Sequence, residues 1–326
     1  MKEFSKDIII SSNLSLRRNL KGYDFPTTMT YDESLVILDI FKNIFDDKLL
    51  LLSDLDDETI DKLIDQMILS EDAPDKLAQI GVVFEGDTTL VINDRDHLSI
   101  NISGFDLDLN SAYMRANEIE KVLDEHLDFA FSGEYGYLTS GARNSGNGLE
   151  IAIKAFLFGL IDNSKTYFGF KQAMVYAGMF PRHYIPKGLK SYADKVYLLK
   201  NYGNYREDVY SYLANVENDL ASIVKNERRF RRDYKILNNI DDRKVREEIK
   251  IIENQLANNL VESRENLAKN LYDLKKYRIL EYDTSLDNDQ IDYLLANINS
   301  HKYKDNFDQE RSAFLKKYMG EHYGKQ

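Results

Sequence analysis

Apolar residues recur at Leu35, Leu38, Phe41 and Phe45 between Tyr31 and Phe45, and at Ile60, Leu63, Ile64, Met67 and Ile68 between Asp57 and Leu69. Both spacings predict amphipathic helices. The second helix carries Asp56 and Asp57 at its start, where the helix dipole favours acidic side chains. Ahead of them, a short β-branched run after Asp7 turns basic at Arg17 and Arg18 and breaks at Gly22-Tyr23-Asp24-Phe25-Pro26. The stretch TLVINDRDHLSINI, from Thr89 to Ile102, alternates like a strand with a polar interruption. Between Leu107 and Phe131 a further helix is predicted, with Ile119, Val122, Leu123 and Leu127 on one face.

The pattern is densest in turn residues from Tyr135 to Ile153, YGYLTSGARNSGNGLEIAI. It reads as a tight loop feeding a buried helix, with a strongly apolar run from Ile151 to Ile161. Gly136, Gly141, Gly146 and Gly148 permit positive φ and close backbone approach, and a loop opening a helix is a place where N–H groups can meet an anion. On composition alone, a plain connection with no ligand accounts for it as well. Farther on, Asp162 to Tyr192 is rich in Tyr and Phe and holds Pro181 and Pro186. Helical periodicity runs through Val209, Leu213, Val216, Leu220 and Ile223 to the basic cluster Arg228, Arg229, Arg231 and Arg232, which reads as a helix end. Asp241 to Leu280 is predicted as one long helical segment. Val245, Ile249, Ile252, Leu256, Leu260, Leu267, Leu271 and Leu274 approximate a heptad seam in it, able to pack internally or to mediate a dimer.

Composition narrows the classes. The chain has 326 residues, 43% of them hydrophobic, enough for a sizeable core in one large domain or two smaller ones. A formal net charge of -12 argues against a bulk electrostatic surface for nucleic acid or anionic membrane, so neither is an expected direct partner. There is no cysteine, which removes disulfides, thiolate metal sites and thiol nucleophiles. The apolar run near Ile8 is too short and too polar at its flanks for a signal peptide or a membrane span, and a cytoplasmic protein is expected.

Several stretches fall, in order, on the frame of one family. Gly136-Tyr137-Leu138-Thr139, Gly141-Ala142-Arg143-Asn144 and Gly146-Asn147-Gly148-Leu149-Glu150 lie where the bacterial protein-arginine kinases of the McsB type carry Gly-Tyr-Leu-Thr, Cys-Pro-Thr-Asn and Gly-Thr-Gly-Leu-Arg. Ser11, Ser12, Leu16, Arg18 and Asn19 match Ser-Ser-Arg-x-Arg-Leu-x-Arg-Asn, and Asn93, Asp96, His97 and Leu98 match Asn-Glu-Glu-Asp-His-Leu-Arg. Val196 to Leu220 follows a strand, a Gly turn at Gly203 and a helix, with Glu207 and Asp208 as anchors. The chain thus resembles the ATP:guanido phosphotransferases, nearest to those protein-arginine kinases.

The resemblance implies an α+β fold: a guanido-kinase-like antiparallel sheet flanked by helices over 1–232, then a helical C-terminal domain over 233–326. It also implies a damaged site. Of the arginines that would hold ATP phosphates, four are Asn13, Ser15, Ser99 and Glu150 here, leaving Arg18 and Arg182 beside His97 in a degenerate ATP site. The general base is replaced by Arg95, which stays protonated at any working pH, and the reactive thiol by Gly141. No residue of the catalytic set stands intact, and although the family uses Mg-ATP, no cofactor and no metal is expected for this chain. Considered without the family, Arg17 and Arg18 read as a solvated face and His97 as a core histidine. Arg95 and Glu150 are expected to pair and fill the vacated pocket. Asp308 and Arg311 match part of a phosphoarginine-recognition motif, although a surface helix is the plainer reading. The implied role is a catalytically silent kinase homologue serving as a binding or regulatory subunit in a bacterial stress response. The implied partners are a kinase subunit in a homodimer or heterodimer, its activator, a heat-shock repressor and the Clp-type protease machinery. Two alternatives stand beside it: an active kinase using Asp94, Asp96 or Glu134 as a relocated base, and a phosphoarginine reader.

Overall fold

The computed structural model describes residues 7–322 apart from 105–107, 163, 188, 190, 202–207, 259–262 and 302–306. Gly203 and Glu207 therefore lie outside the described residues. Eight strands form one sheet: β1 (Ile9–Arg18), β2 (Leu50–Leu51), β3 (Gly81–Glu85), β4 (Thr88–Ile92), β5 (Leu98–Ser103), β8 (Leu149–Phe156), β9 (Met179–His183) and β10 (Val196–Asn201). Their order is β2-β3-β4-β5-β1-β8-β10-β9, and a separate two-stranded ribbon joins β6 (Phe131–Ser132) to β7 (Gly136–Tyr137). Neighbours from β2 through to β8 pair antiparallel.

The chain divides into two compact units, neither of them continuous: 1–156 with 171–182 and 198–224, and 157–170 with 183–197 and 225–326. In the first unit, α1 (Tyr31–Phe45) opens on a capping box in which Thr30 and Glu33 satisfy each other's backbone donors. Its buried side is Ser34, Ile37, Leu38 and Phe41, one step round from the predicted stripe, and Leu35 is exposed. The helix α2 (Asp57–Asp65) ends earlier than its pattern suggests, because Met67 takes a left-handed conformation at φ 62°. Ile68 and Leu69 then pack with Leu52, Ile60, Leu63, Ile80, Val82 and Val91 from a turn rather than from a helix. The helix α3 (Leu109–Asp124) buries Leu109, Ala112, Ala116, Glu120 and Leu123 and lies on β1 and β5; Val122, expected inside, is exposed. The two alanines allow that close approach.

The largest departure from expectation is at 149–156. The apolar run after Gly148 is not a helix but the strand β8, paired with β1 in the register Leu16↔Leu149, Ser15↔Glu150, Leu14↔Ile151 and Asn13↔Ala152. Its eight residues alternate: Leu149, Ile151 and Ile153 share one face, while Glu150, Ala152 and Lys154 share the other. Both faces are buried, which is why the run looks continuously apolar and imitates a buried helix.

In the second unit, α8 (Asp242–Ala257) and α9 (Arg264–Ile279) replace the single long helix expected from Asp241 to Leu280. Ser263 caps α9 by accepting from Asn266 N–H at 3.2 Å. Val245, Ile249, Ile252, Leu256, Leu267, Leu271 and Leu274 are buried and α8 packs on α9, so the seam is used within the chain. Leu260 lies outside the described residues. This unit also contains α4 (Phe158–Ile161), α7 (Tyr234–Leu237), α10 (Asn288–Ile298) and α11 (Phe307–His322). Two further helices, α5 (Ser164–Tyr176) and α6 (Val209–Arg232), have residues in both units. Among the described residues no helix is long and apolar enough to cross a membrane.

Candidate functional site

Alternation along β1 places Ser11, Asn13, Ser15 and Arg17 on one face of the sheet. The register aligns Ser15 with Asn101 and Arg17 with Ser99 on β5, and Ser15 with Glu150 on β8. One face of the central strands is therefore polar, yet it is sealed by the chain's own contacts. Asn13 Nδ2 donates to Asn101 Oδ1 at 3.1 Å and to Met67 O at 3.2 Å, and Asn101 Nδ2 donates to Ser99 Oγ at 3.0 Å. Ser11 Oγ donates to Asp65 O at 3.0 Å. Lys154 Nζ, on a nearly solvent-free side chain, donates to Asp65 Oδ1 at 2.7 Å and to Asp65 O at 3.1 Å. The turn after α2 is thus tied across the polar face.

At the β8 end of this face the Glu150 carboxylate gathers three cations. Its Oε1 accepts from Arg17 Nη2 at 3.0 Å, Lys200 Nζ at 3.0 Å and Arg95 Nη1 at 3.3 Å, and its Oε2 accepts from Asn144 Nδ2 at 3.1 Å. The Glu150 side chain is only 10% exposed and that of Arg17 3%, whereas that of Arg95 is 35% exposed. Burial pushes the Glu150 carboxyl up, but Arg17, then Lys200 and Arg95, outweigh it and hold the group well below its ordinary range. Burial lowers the Lys200 ammonium against the opposing pull of Glu150, while Arg17 is raised because Glu150, Asp96 and Asp94 overcome its desolvation.

The rest of the neighbourhood is structural. Asp96 Oδ1 accepts from Asn19 Nδ2 and from Ser140 N–H, both at 2.7 Å, and Asp96 Oδ2 lies 3.5 Å from Arg17 Nη1. Asp94 accepts from Ser70 N–H at 2.8 Å and from the Ser70 hydroxyl. His97 is fully buried: its Nδ1 accepts from Leu20 N–H at 3.0 Å and its Nε2 lies 3.0 Å from Asp24 O, the pattern of a neutral ring donating from Nε2. Burial lowers its pKa from the ordinary value. Arg18 donates to Glu120 Oε1 at 3.0 Å, to Arg17 O at 2.7 Å and to Asn147 O at 3.0 Å, with its guanidinium 3.6 Å from the Tyr137 ring centroid. Gly148, at φ +68°, passes so close that an added Cβ would sit 2.3 Å from Arg18 Nη1.

The structure brings Asn13, Ser15, Ser99 and Glu150 together on one sheet face and joins Arg95, from between β4 and β5, to Glu150 as expected. The solvated-face reading of Arg17 and Arg18 is overturned, since both are buried ion-pair partners. Arg18 is turned toward Glu120, with which it pairs at 3.0 Å. Arg182 is exposed on β9, and Gly141 sits in the loop with nothing within 4 Å of where a Cβ would stand. Arg311 is buried in α11, donating from Nε to Ile298 O at 3.1 Å, so it is not a surface-helix residue; the Asp308 side chain lies outside the described residues. Sequence reasoning missed Lys200, Asn144 and the role of Arg17. Parity was the available signal for Arg17, which shares a strand face with Asn13 and Ser15.

A central sheet of this topology with flanking helices is the fold of the guanido kinases. The chain aligns with the substrate-free duplicated taurocyamine kinase from Schistosoma mansoni at a TM-score of 0.55 and 18% identity, over 70% of this chain and 34% of that one. It aligns with a lombricine kinase at a TM-score of 0.52 and 16% identity, over 69% and 67% of the two chains. In sequence it is 24% identical over 244 residues to a protein-arginine kinase of Caldanaerobacter subterraneus subsp. tengcongensis, covering 72% of each. Residues 36–230 match the ATP:guanido phosphotransferase C-terminal catalytic domain, and the chain belongs to that family. The residues at the node do not fit the triphosphate that the family's name implies. Their three cations are already engaged by a buried carboxylate of the same chain, which would stand against an incoming phosphate.

Proposed function

We propose that this chain is a catalytically silent homologue of the protein-arginine kinases, acting as a binding or regulatory subunit in a protein-arginine phosphorylation system. The observation that carries the reading is the Glu150 carboxylate held among Arg17, Arg95 and Lys200. Phosphoryl transfer depends on positioned cations that neutralise phosphate charge. Here the cations are paired with a carboxylate of the same chain. A carboxylate about 4 Å from a phosphate opposes it by about 1 kcal/mol in water and about 4 kcal/mol at an effective dielectric of 20.

A relocated base has no support from the geometry. Asp94 and Asp96 are held by Ser70, Asn19, Ser140 and Arg17, and Glu134 is exposed in the β6–β7 turn. Burial of Arg311 disfavours phosphoarginine reading through that side chain. The expected partners are a kinase subunit, its activator, a repressor or Clp-type protease machinery.

Calorimetric titration with Mg-ATP, beside an intact protein-arginine kinase as control, tests the reading. No heat with this chain and normal binding by the control is the expected result, to be followed by partner capture. Saturable binding, or phosphoarginine formation on an arginine-bearing protein, would overturn it.

A further inference from the structure

Three cations and an amide converge on one carboxylate from distant parts of the chain: Arg17 on β1, Arg95 between β4 and β5, Asn144 in the glycine-rich loop and Lys200 on β10. A buried carboxylate needs one cation to balance it. Two more carboxylates face the group: Asp96, whose Oδ2 lies 3.5 Å from Arg17 Nη1 while its Oδ1 accepts from Asn19 and Ser140, and Asp94, which is held by Ser70 and acts through its field on the same guanidinium. Glu150 thus accepts four bonds, three of them crowded on Oε1, and donor capacity nearby remains in surplus.

The surplus is visible in buried atoms. Ser15 is fully buried and stands directly opposite Glu150 in the β1–β8 register, on the same sheet face, and its Oγ has no hydrogen-bond partner. Arg17 Nε, also buried, has none. Unpartnered buried donors are uncommon and costly in native proteins. A tetrahedral oxyanion offers more acceptor oxygens, in more directions, than the carboxylate now in place. Arg95, about one-third exposed, provides an edge open to solvent.

We infer that Glu150 is an intramolecular occupant of an oxyanion site built by Arg17, Arg95, Lys200, Asn144 and Ser15, and that removing its charge opens this site to a free phosphate-type oxyanion. The inference rests on the reading of the chain as a kinase homologue whose phosphate site is filled from within. It adds that the fill is a displaceable ligand rather than a collapsed pocket.

The test uses the full chain, its Glu150→Gln and Glu150→Ala variants, and inorganic phosphate and Mg-ATP as separate probes, read by calorimetry and by thermal shift. Phosphate is expected to bind both variants at least about ten-fold more tightly than the unaltered chain. Adding Arg95→Ala to Glu150→Ala is expected to abolish that gain. Binding of phosphate without Mg-ATP would assign a free-anion site. Binding of both would assign a site that also accepts a nucleotide's phosphates. If Glu150→Ala folds poorly, a phosphate-dependent rise in the melting temperature of Glu150→Gln decides the matter. No difference from the unaltered chain in either variant, or a gain that survives Arg95→Ala, overturns the inference. Mg-ATP binding by the unaltered chain would instead overturn the silent-subunit reading, so the two failures are distinguishable.

Discussion

Arg17 Nη2 lies 3.0 Å from Glu150 Oε1, diagonally across neighbouring antiparallel strands, and both side chains are almost wholly withdrawn from solvent. Removing one partner of such a pair leaves a buried charge without compensation, at a cost of about 3 to 5 kcal/mol. Lys200 and Arg95 remain beside the carboxylate, so Arg17→Ala is expected near the lower end, about 3 kcal/mol by urea denaturation. Arg95→Ala, at a position about one-third exposed, should cost about 1 kcal/mol or less. In a double-mutant cycle Arg95→Ala and Glu150→Ala should couple by at least about 0.5 kcal/mol. Additivity would show that the pair contributes nothing.

Acid should weaken the fold in two separate windows. The folded pKa of Glu150 lies well below its ordinary 4.5, so its contribution is fully present above that value and is lost as pH falls through the folded value. The folded pKa of His97 is also depressed, from 6.5, because burial favours the neutral ring. The unfolded chain takes up that proton first, so stability drops as pH falls below 6.5. In melting curves from pH 7 to pH 3, Glu150→Gln should flatten the lower window and His97→Gln the upper one. A His97→Gln profile parallel to that of the unaltered chain above pH 5 would contradict the assignment of the upper window.

Two glycines seven residues apart, Gly141 and Gly148, should behave in opposite ways. Gly148→Ala places a Cβ 2.3 Å from Arg18 Nη1 and 2.5 Å from Arg17 O at a positive φ, and is expected to destabilise by at least about 2 kcal/mol. Gly141 has an ordinary φ of -98° and open space around it, so Gly141→Cys should change stability by less than about 0.5 kcal/mol. That variant restores the family's thiol, and no phosphoarginine formation is expected from it. Turnover by Gly141→Cys would show that the thiol alone had silenced the chain.

Lys154 is expected to act as a clamp. Its buried ammonium holds the Asp65 side chain and carbonyl, which tie the turn after α2 across the sheet's polar face. Lys154→Met keeps the stem and removes the charge, and should speed amide exchange at Met67 and Ile68 more than at Ile151. Equal effects at all three would mean a global rather than a local loss.

The fold was legible where local signals agree. Asp56 with Asp57 marks the start of α2, and the polar break at Asn93 to Asp96 divides β4 from β5. The element 149–156 was misread because a strand buried on both faces has too few polar positions to display its period of two. The helical segment after Asp241 was read as one because a break between two amphipathic helices need not interrupt the heptad spacing.

By itself the sequence determined the family frame and the residues that stand at its motif positions: Gly141, Arg95, Asn13, Ser15, Ser99 and Glu150. These are identities, read one position at a time. What surrounds Glu150 was decided only by the tertiary structure, because the partners come from residues 17, 95, 144 and 200. Strand register and sheet order, set by the burial of Leu14, Leu16, Ile151 and Ile153 on the opposite face, place Arg17, Glu150 and Lys200, and the turns that hold Arg95 and Asn144 bring those two side chains to the same carboxylate.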